Sequence, residues 1–171
     1  MIGSLPAGVL GVLFKSQIET AFAAPRLVAA LLMATGAWLL AMRLFPTGHK
    51  EISGRRAWWI GCAQAVAILP GVSRSGSTIA TGCMLGIEPA RAAEYSFLLS
   101  IPAVGGATLL AIKDAWGAGT LSVAHLVGLI VAAVTGLAAL HLVFAVLKRG
   151  RFVWFGVYCL LVGAVSSLLL W

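Results

Sequence analysis

The chain has 171 residues, of which 61% are hydrophobic and 10% charged, with a net charge of +7. Soluble domains carry about 25% charged residues, and a soluble fold of this size could not hide so much apolar surface. Nucleic-acid binding is excluded as well, because no basic residue lies in a motif that reads RNA or DNA. The positive charge belongs to loops that flank membrane spans and face anionic headgroups.

In chain order, residues 1–14 are apolar but lack a basic leader and a cleavage site, so insertion is expected to rest on the spans themselves. Residues 5–22 read as the end of one helix and an interfacial connector through Lys15, Gln17 and Glu19. Leu27 to Leu44 is a span, since crossing takes roughly 20 apolar residues. A polar loop, 47–56, follows it. Ala57 to Leu69 and Ile79 to Ile87 are apolar but each too short to cross, and Pro70 to Thr78 between them is small and polar. Pro89 opens a helix to about Ile112, with kinks expected at Pro102 and at Gly105-Gly106. After a loop at 113–121, Ser122 to Leu147 and Phe152 to Trp171 are spans, joined by the basic turn 148–151. The cysteines Cys62, Cys83 and Cys159 stand apart in apolar runs and read as small hydrophobes.

Segment 57–87 either crosses the membrane or dips in and returns, and the distribution of basic residues decides. If it returns, Arg43, Lys50, Arg55, Arg56, Arg91, Lys148, Arg149 and Arg151 share one side, against Lys15, Arg26 and Lys113 on the other. If it crosses, the bias vanishes. The expected fold is therefore an all-α integral membrane protein in a single membrane domain, 1–171. It has about four spanning helices and one re-entrant helix-loop-helix at 57–87, as half of an inverted-repeat architecture.

Chemistry concentrates in Gln64 to Thr78. Non-helical backbone at membrane depth survives only where protein or water covers it, and an intramembrane Arg marks a functional site. Arg74 offers a planar fork for phosphate oxygens. Ser73, Ser75, Ser77 and Thr78 offer hydroxyls, and Gly71 and Gly76 let the backbone turn its N–H groups inward. A helix beginning near Gly76 would aim its positive end at the same place. The alternative is a Ser/Gly helix break with a snorkelling Arg; the flanking apolar half-helices favour an anion site.

Gln64 is placed to line this site. Glu94 and Ser96 either reach it or, for Glu94, pair with Arg91 at i, i+3. His125 and His141 face nearly opposite sides of one helix and cannot share a metal. Trp58, Trp59, Trp116, Trp154 and Trp171 lie near span ends, as in an aromatic belt. The spacing Gly82-x-x-x-Gly86 permits close helix packing.

The stretch Pro-Gly-Val-Ser-Arg-Ser-Gly-Ser-Thr at 70–78 resembles the signature of the undecaprenyl-diphosphate phosphatase family, the bacitracin-resistance type. Gly61-Cys-Ala-Gln64, the run from Ala92 to Pro102, and Leu5 to Phe14 extend the resemblance over essentially the whole chain. It implies hydrolysis of undecaprenyl diphosphate to the monophosphate in a bacterial plasma membrane, with a divalent cation (Mg or Ca). The lipid diphosphate is the implied partner, with a homodimer or a missing N-terminal half as a further one. Arg74, Ser73 and Thr78 would be catalytic, and Gly71, Ser75, Gly76, Ser77, Gln64 and Glu94 would bind substrate; no metal ligand is expected in this chain. Longer members carry an acidic Glu-rich motif and a histidine in an N-terminal half that nothing here matches, so the chain reads as the C-terminal part. The alternatives are half of a lipid-phosphate flippase or transporter, or an inactive truncated homologue.

Overall fold

The computed structural model describes residues 2–46, 48–117 and 123–170; the side chains of Lys15, Glu19, Asp114 and Trp116, and residue Trp171, lie outside the described residues. All regular elements among them are helices: α1 (Leu5–Leu13), α2 (Lys15–Phe22), α3 (Pro25–Ala41), α4 (Gly54–Val66), α5 (Arg74–Met84), α6 (Pro89–Gly117), α7 (Val123–Lys148) and α8 (Val153–Leu169). Three are long and apolar enough to cross a membrane: α3 with its trailing 3-10 turn (Pro25–Leu44), α6 (Pro89–Lys113) and α7 (Val123–Lys148). The fourth expected span, α8, is apolar but shorter. The chain is a multi-pass membrane protein.

Local chemistry sets the ends of these helices. Pro25 and Pro89 stand at first-turn positions, where the missing N–H costs no hydrogen bond. Ser73 caps α5, its Oγ accepting from the Gly76 N–H at 3.2 Å. The helix therefore starts at Arg74 and not at Gly76, and Arg74 sits at its first position instead of mid-loop. At the far end of α5, Gly86 takes φ +81. That left-handed residue lets the Ile87 N–H reach back to the Gly82 carbonyl at 3.0 Å. The expected kinks do not interrupt α6, which runs through Pro102 and Gly105-Gly106 as one helix. A proline removes a single ladder bond, and small local adjustments absorb it in a membrane helix.

Helices α3 and α8 pack antiparallel over most of their length. Gly36 of α3 meets α8 so closely that a Cβ there would lie 2.7 Å from the Gly156 carbonyl oxygen. At one end of the pair, Arg26 Nε and Nη2 donate to the Leu170 carbonyl at 3.1 and 3.0 Å. On another face of α3 lies a helical hairpin of α4 and α5, with 13 and 11 residues, about 20 and 17 Å long. Its two ends meet, because the Lys50 N–H donates to the Gly86 carbonyl at 2.9 Å. The segment therefore returns to the level at which it began. The buried core (Leu39, Ile60, Ile79, Ala80, Cys83, Ile87, Ala92, Leu99, Phe152) sits where α3, the hairpin, the start of α6 and the start of α8 converge. Gly82 brings α5 against α6, since a Cβ there would stand 2.8 Å from Ala92 Cβ.

Candidate functional site

The link between α4 and α5, residues 67–73, is held from below by α3. Gly71 has φ +90, and a Cβ at this position would lie 2.3 Å from the Val28 carbonyl oxygen, so only glycine fits. Thr35, 3% exposed, fixes the same link. Its Oγ1 accepts from the Ser73 N–H at 3.2 Å and lies 3.0 Å from the Leu31 carbonyl and 3.3 Å from the Gly71 carbonyl. These contacts place the link beside α3, between one and three turns from its start. Thr35 was not legible as a site residue. It stands in an apolar run and gains its role only through contacts with residues 36 to 38 positions away.

The hydroxyls divide into two sets. Thr78 is 1% exposed and Ser96 5%. Thr78 donates to the carbonyls of Arg74 (2.8 Å) and Ser75 (3.2 Å), so the 2.6 Å contact with Ser96 is completed by the Ser96 proton. This pair fastens α5 to α6. Ser73 Oγ, in contrast, receives the Gly76 N–H and keeps its own proton for another acceptor. Ser75 is exposed at the helix start. Among the described residues no acceptor is found for the N–H groups of Arg74 and Ser75, as expected for the first turn of a helix.

Arg74 is half-buried, and its Nη2 is buried without a hydrogen-bond partner. Both amide atoms of Gln64, a residue only 2% exposed, are likewise unpartnered. Ser77 lies on a different face of α5. Together with Thr35, Thr81, Leu31, Trp38, Trp59, Cys62 and Val66 it lines an apolar groove of about 460 Å³ between α3, α4 and α5.

The structure therefore brings Ser73, Arg74, Ser75 and Gly76 together around the start of α5, with Gly71 shaping the approach and Ser77 in the groove beside it. It does not bring Glu94 there. Ser96 faces α5, so Glu94, two residues earlier, is turned about 200° away and is exposed. No Arg91–Glu94 ion pair forms among the described residues; the pair at this end of the molecule is His49 Nδ1 with Glu88 Oε2, at 3.8 Å. Among the described residues no three His, Cys, Asp or Glu side chains converge. All three cysteines are free.

The arrangement places a guanidinium at a helix N-terminus, beside a capping hydroxyl with a proton to give and first-turn backbone N–H groups for which no acceptor is found among the described residues. The chain is 42% identical over 170 residues to the undecaprenyl-diphosphatase of Desulfosudis oleivorans, covering 97% of this chain and 62% of that protein. It is 45% identical over 168 residues to that of Desulfatibacillum aliphaticivorans (96% and 61%) and 38% identical over 174 residues to that of Salinibacter ruber (99% and 64%). The chain thus spans a little over three-fifths of the length of these relatives. The family model described as bacitracin resistance protein BacA matches residues 1–165, and the chain belongs to that family.

Proposed function

We propose that this chain forms the phosphate-binding part of a membrane phosphatase that hydrolyses undecaprenyl diphosphate to undecaprenyl phosphate and inorganic phosphate. The observation that carries this reading is Arg74, with its Nη2 buried and unpartnered at the first turn of a capped helix. An Arg at membrane depth costs about 2.5–3.5 kcal/mol on insertion scales, and an unpaired one is retained where a ligand completes it. The names of the relatives supply the substrate, and the apolar groove beside the loop suits an isoprenoid chain.

In this reading hairpin α4–α5 is re-entrant, and Arg55 and Arg91 share one face of the membrane. Arg74 clamps the diphosphate and balances the charge that develops at phosphorus. Ser73 donates its free hydroxyl proton to a phosphoryl oxygen. The N–H groups of Arg74 and Ser75 and the positive end of α5 add to the same field. Thr78 acts through the fold, by fixing the first turn of α5 against Ser96. The group that activates water and any carboxylates for a Mg or Ca ion belong, in our reading, to the N-terminal half that the family resemblance implies.

The test is phosphate release from undecaprenyl diphosphate in detergent. We expect the 171-residue chain alone to turn over slowly or not at all, and activity to appear when the N-terminal half of a relative is co-expressed. Near-normal turnover by the chain alone would place the catalytic acids within these residues. In the active preparation, Arg74→Lys should cost about a hundredfold in rate, because a point charge cannot replace the bidentate fork. A snorkelling Arg would tolerate Lys. Retention of more than about half the activity, a negligible energy on the transition-state scale, makes Arg74 structural.

A further inference from the structure

Where α7 gives way to α8, the chain carries Lys148, Arg149 and Arg151 in one turn. No ion pair or hydrogen bond is found for these three side chains among the described residues. Cations elsewhere are occupied: Arg56 Nη1 donates to the Glu51 carbonyl at 2.8 Å, and Arg26 to that of Leu170. Three like charges held this close repel one another, so the turn is stabilised by an anion that lies among them.

The backbone holds the turn in one shape. Gly150 takes φ +65, the left-handed conformation that ends a helix. The Arg151 N–H returns to the Val146 carbonyl at 3.1 Å and the Gly150 N–H to that of Leu147 at 3.0 Å. These are the paired bonds of a Schellman cap. On the other side of Arg151, Phe152 is buried, and its ring packs on that of Phe155 with centroids 5.5 Å apart.

From Arg151 a stripe descends α8. Positions 151, 154, 155 and 158 follow the i, i+3, i+4, i+7 spacing of one helix face. With Val146 at the end of α7, Arg151, Trp154, Phe155 and Tyr158 line a groove of about 420 Å³. The contact of α8 with α3 runs through Gly156 and Gly163, well round the helix from this stripe. Trp154 and Tyr158 are accordingly 65% and 62% exposed.

The groove is graded along its length. A guanidinium stands at the turn, an indole one turn below it, and a phenol roughly 10 Å below the guanidinium. Trp and Tyr favour the headgroup level of a bilayer, and a guanidinium pairs bidentately with phosphate oxygens. A basic pocket between two spans at a membrane face suits an anionic headgroup. A soluble anion has no use for the apolar walls, and a lipid without net charge has none for the cations.

We propose that this groove is a binding site for an anionic phospholipid. The Arg151 guanidinium clamps the phosphodiester, Lys148 and Arg149 supply the surrounding positive field, and an acyl chain lies along Val146, Phe155 and Tyr158. The groove shares no lining residue with the one beside Arg74, and the proposal stands independently of the phosphatase reading.

The experiment is thermal unfolding of the full chain in a zwitterionic detergent, titrated with short-chain phosphatidylglycerol. Short-chain phosphatidylcholine is the control, and farnesyl phosphate is the rival occupant. Phosphatidylglycerol should raise the unfolding temperature to a plateau, and phosphatidylcholine should not. Without lipid, Arg151→Gln should unfold at the wild-type temperature, since the side chain is exposed and unpaired. Its half-shift concentration of phosphatidylglycerol should rise about tenfold, equivalent to about 1.4 kcal/mol. Arg149→Gln removes the same charge outside the groove and should raise that concentration less than about threefold, as for an exposed, unclamped charge. Equal effects of the two variants would show diffuse attraction and overturn the proposal, as would an equal response to phosphatidylcholine or a wild type that never reaches a plateau. A fall in the lipid-free unfolding temperature of Arg151→Gln would give Arg151 a structural role and overturn it as well. A tighter response to farnesyl phosphate than to phosphatidylglycerol, lost in Arg151→Gln, would assign the groove to an isoprenoid phosphate instead.

Discussion

Two regions of this molecule use glycine and exposure in opposite ways. Where α3, α8, the hairpin and the start of α6 converge, backbones touch: Cβ atoms added at Gly36, Gly156 or Gly163 would lie 3.0 Å or less from neighbouring atoms. Along the second half of α6 and most of α7, every described side chain from Ile101 to Ala139 is exposed, and Gly105, Gly106, Gly128 and Gly136 have nothing within 4 Å. Both regions are apolar. The difference teaches that in lipid hydropathy reports insertion, while small residues with close neighbours report packing. The candidate site lies in the first region, where a half-buried Arg and a non-helical link need cover; the second region presents its side chains outward.

The sharpest way to break this contrast is Gly36→Ala. The new methyl would stand 2.7 Å from a carbonyl oxygen and 2.9 Å from the Leu160 amide nitrogen, and backbone cannot yield as a side chain does. We expect a loss of about 2–3 kcal/mol, the range for overpacking, read from unfolding in mixed micelles. A smaller effect is expected for Thr35→Val. The substitution keeps the shape but leaves the Ser73 N–H without its acceptor, at about 1–2 kcal/mol. Hydrogen exchange at Ser73 should accelerate while the α3–α8 pairing stays protected. If both slow or quicken together, the link and the helix pair are one cooperative unit. The smallest effect belongs to Gly128→Ala and Gly136→Ala, each expected to be neutral or to stabilise by up to about 1 kcal/mol through helix propensity. A loss comparable to that of Gly36→Ala would show α7 packed against a partner in the membrane.

Much of this was legible in the sequence. Apolar run lengths located α3, α6 and α7, and the interruption at Pro70 to Thr78 located the link. The motif pointed to Ser73, Arg74, Ser75, Gly71 and Gly76 because hydroxyls, a guanidinium and glycines in one short polar stretch have few other uses in lipid. Three features were not legible. The α5 start shifted to Arg74 because a cap is a competition between adjacent serines that composition does not rank. Thr35 reads as a neutral residue in a span until Ser73 is seen above it. Glu94 and Ser96 differ by two positions, and only the packing of α6 on α5 settles which one turns inward.

Helix α3 is the common wall of the molecule, and its place in the chain has a consequence for biogenesis. It emerges from the ribosome before the hairpin that rests on Val28 and Thr35, and more than a hundred residues before α8, which seals the face at Gly36. The link at Gly71 and Ser73 therefore cannot make its contacts with Val28 and Thr35 until α3 is in place. The α8 face of α3 then stays open for most of the remaining synthesis. During that interval the face of α3 around Gly36 lacks the α8 backbone that later packs on it.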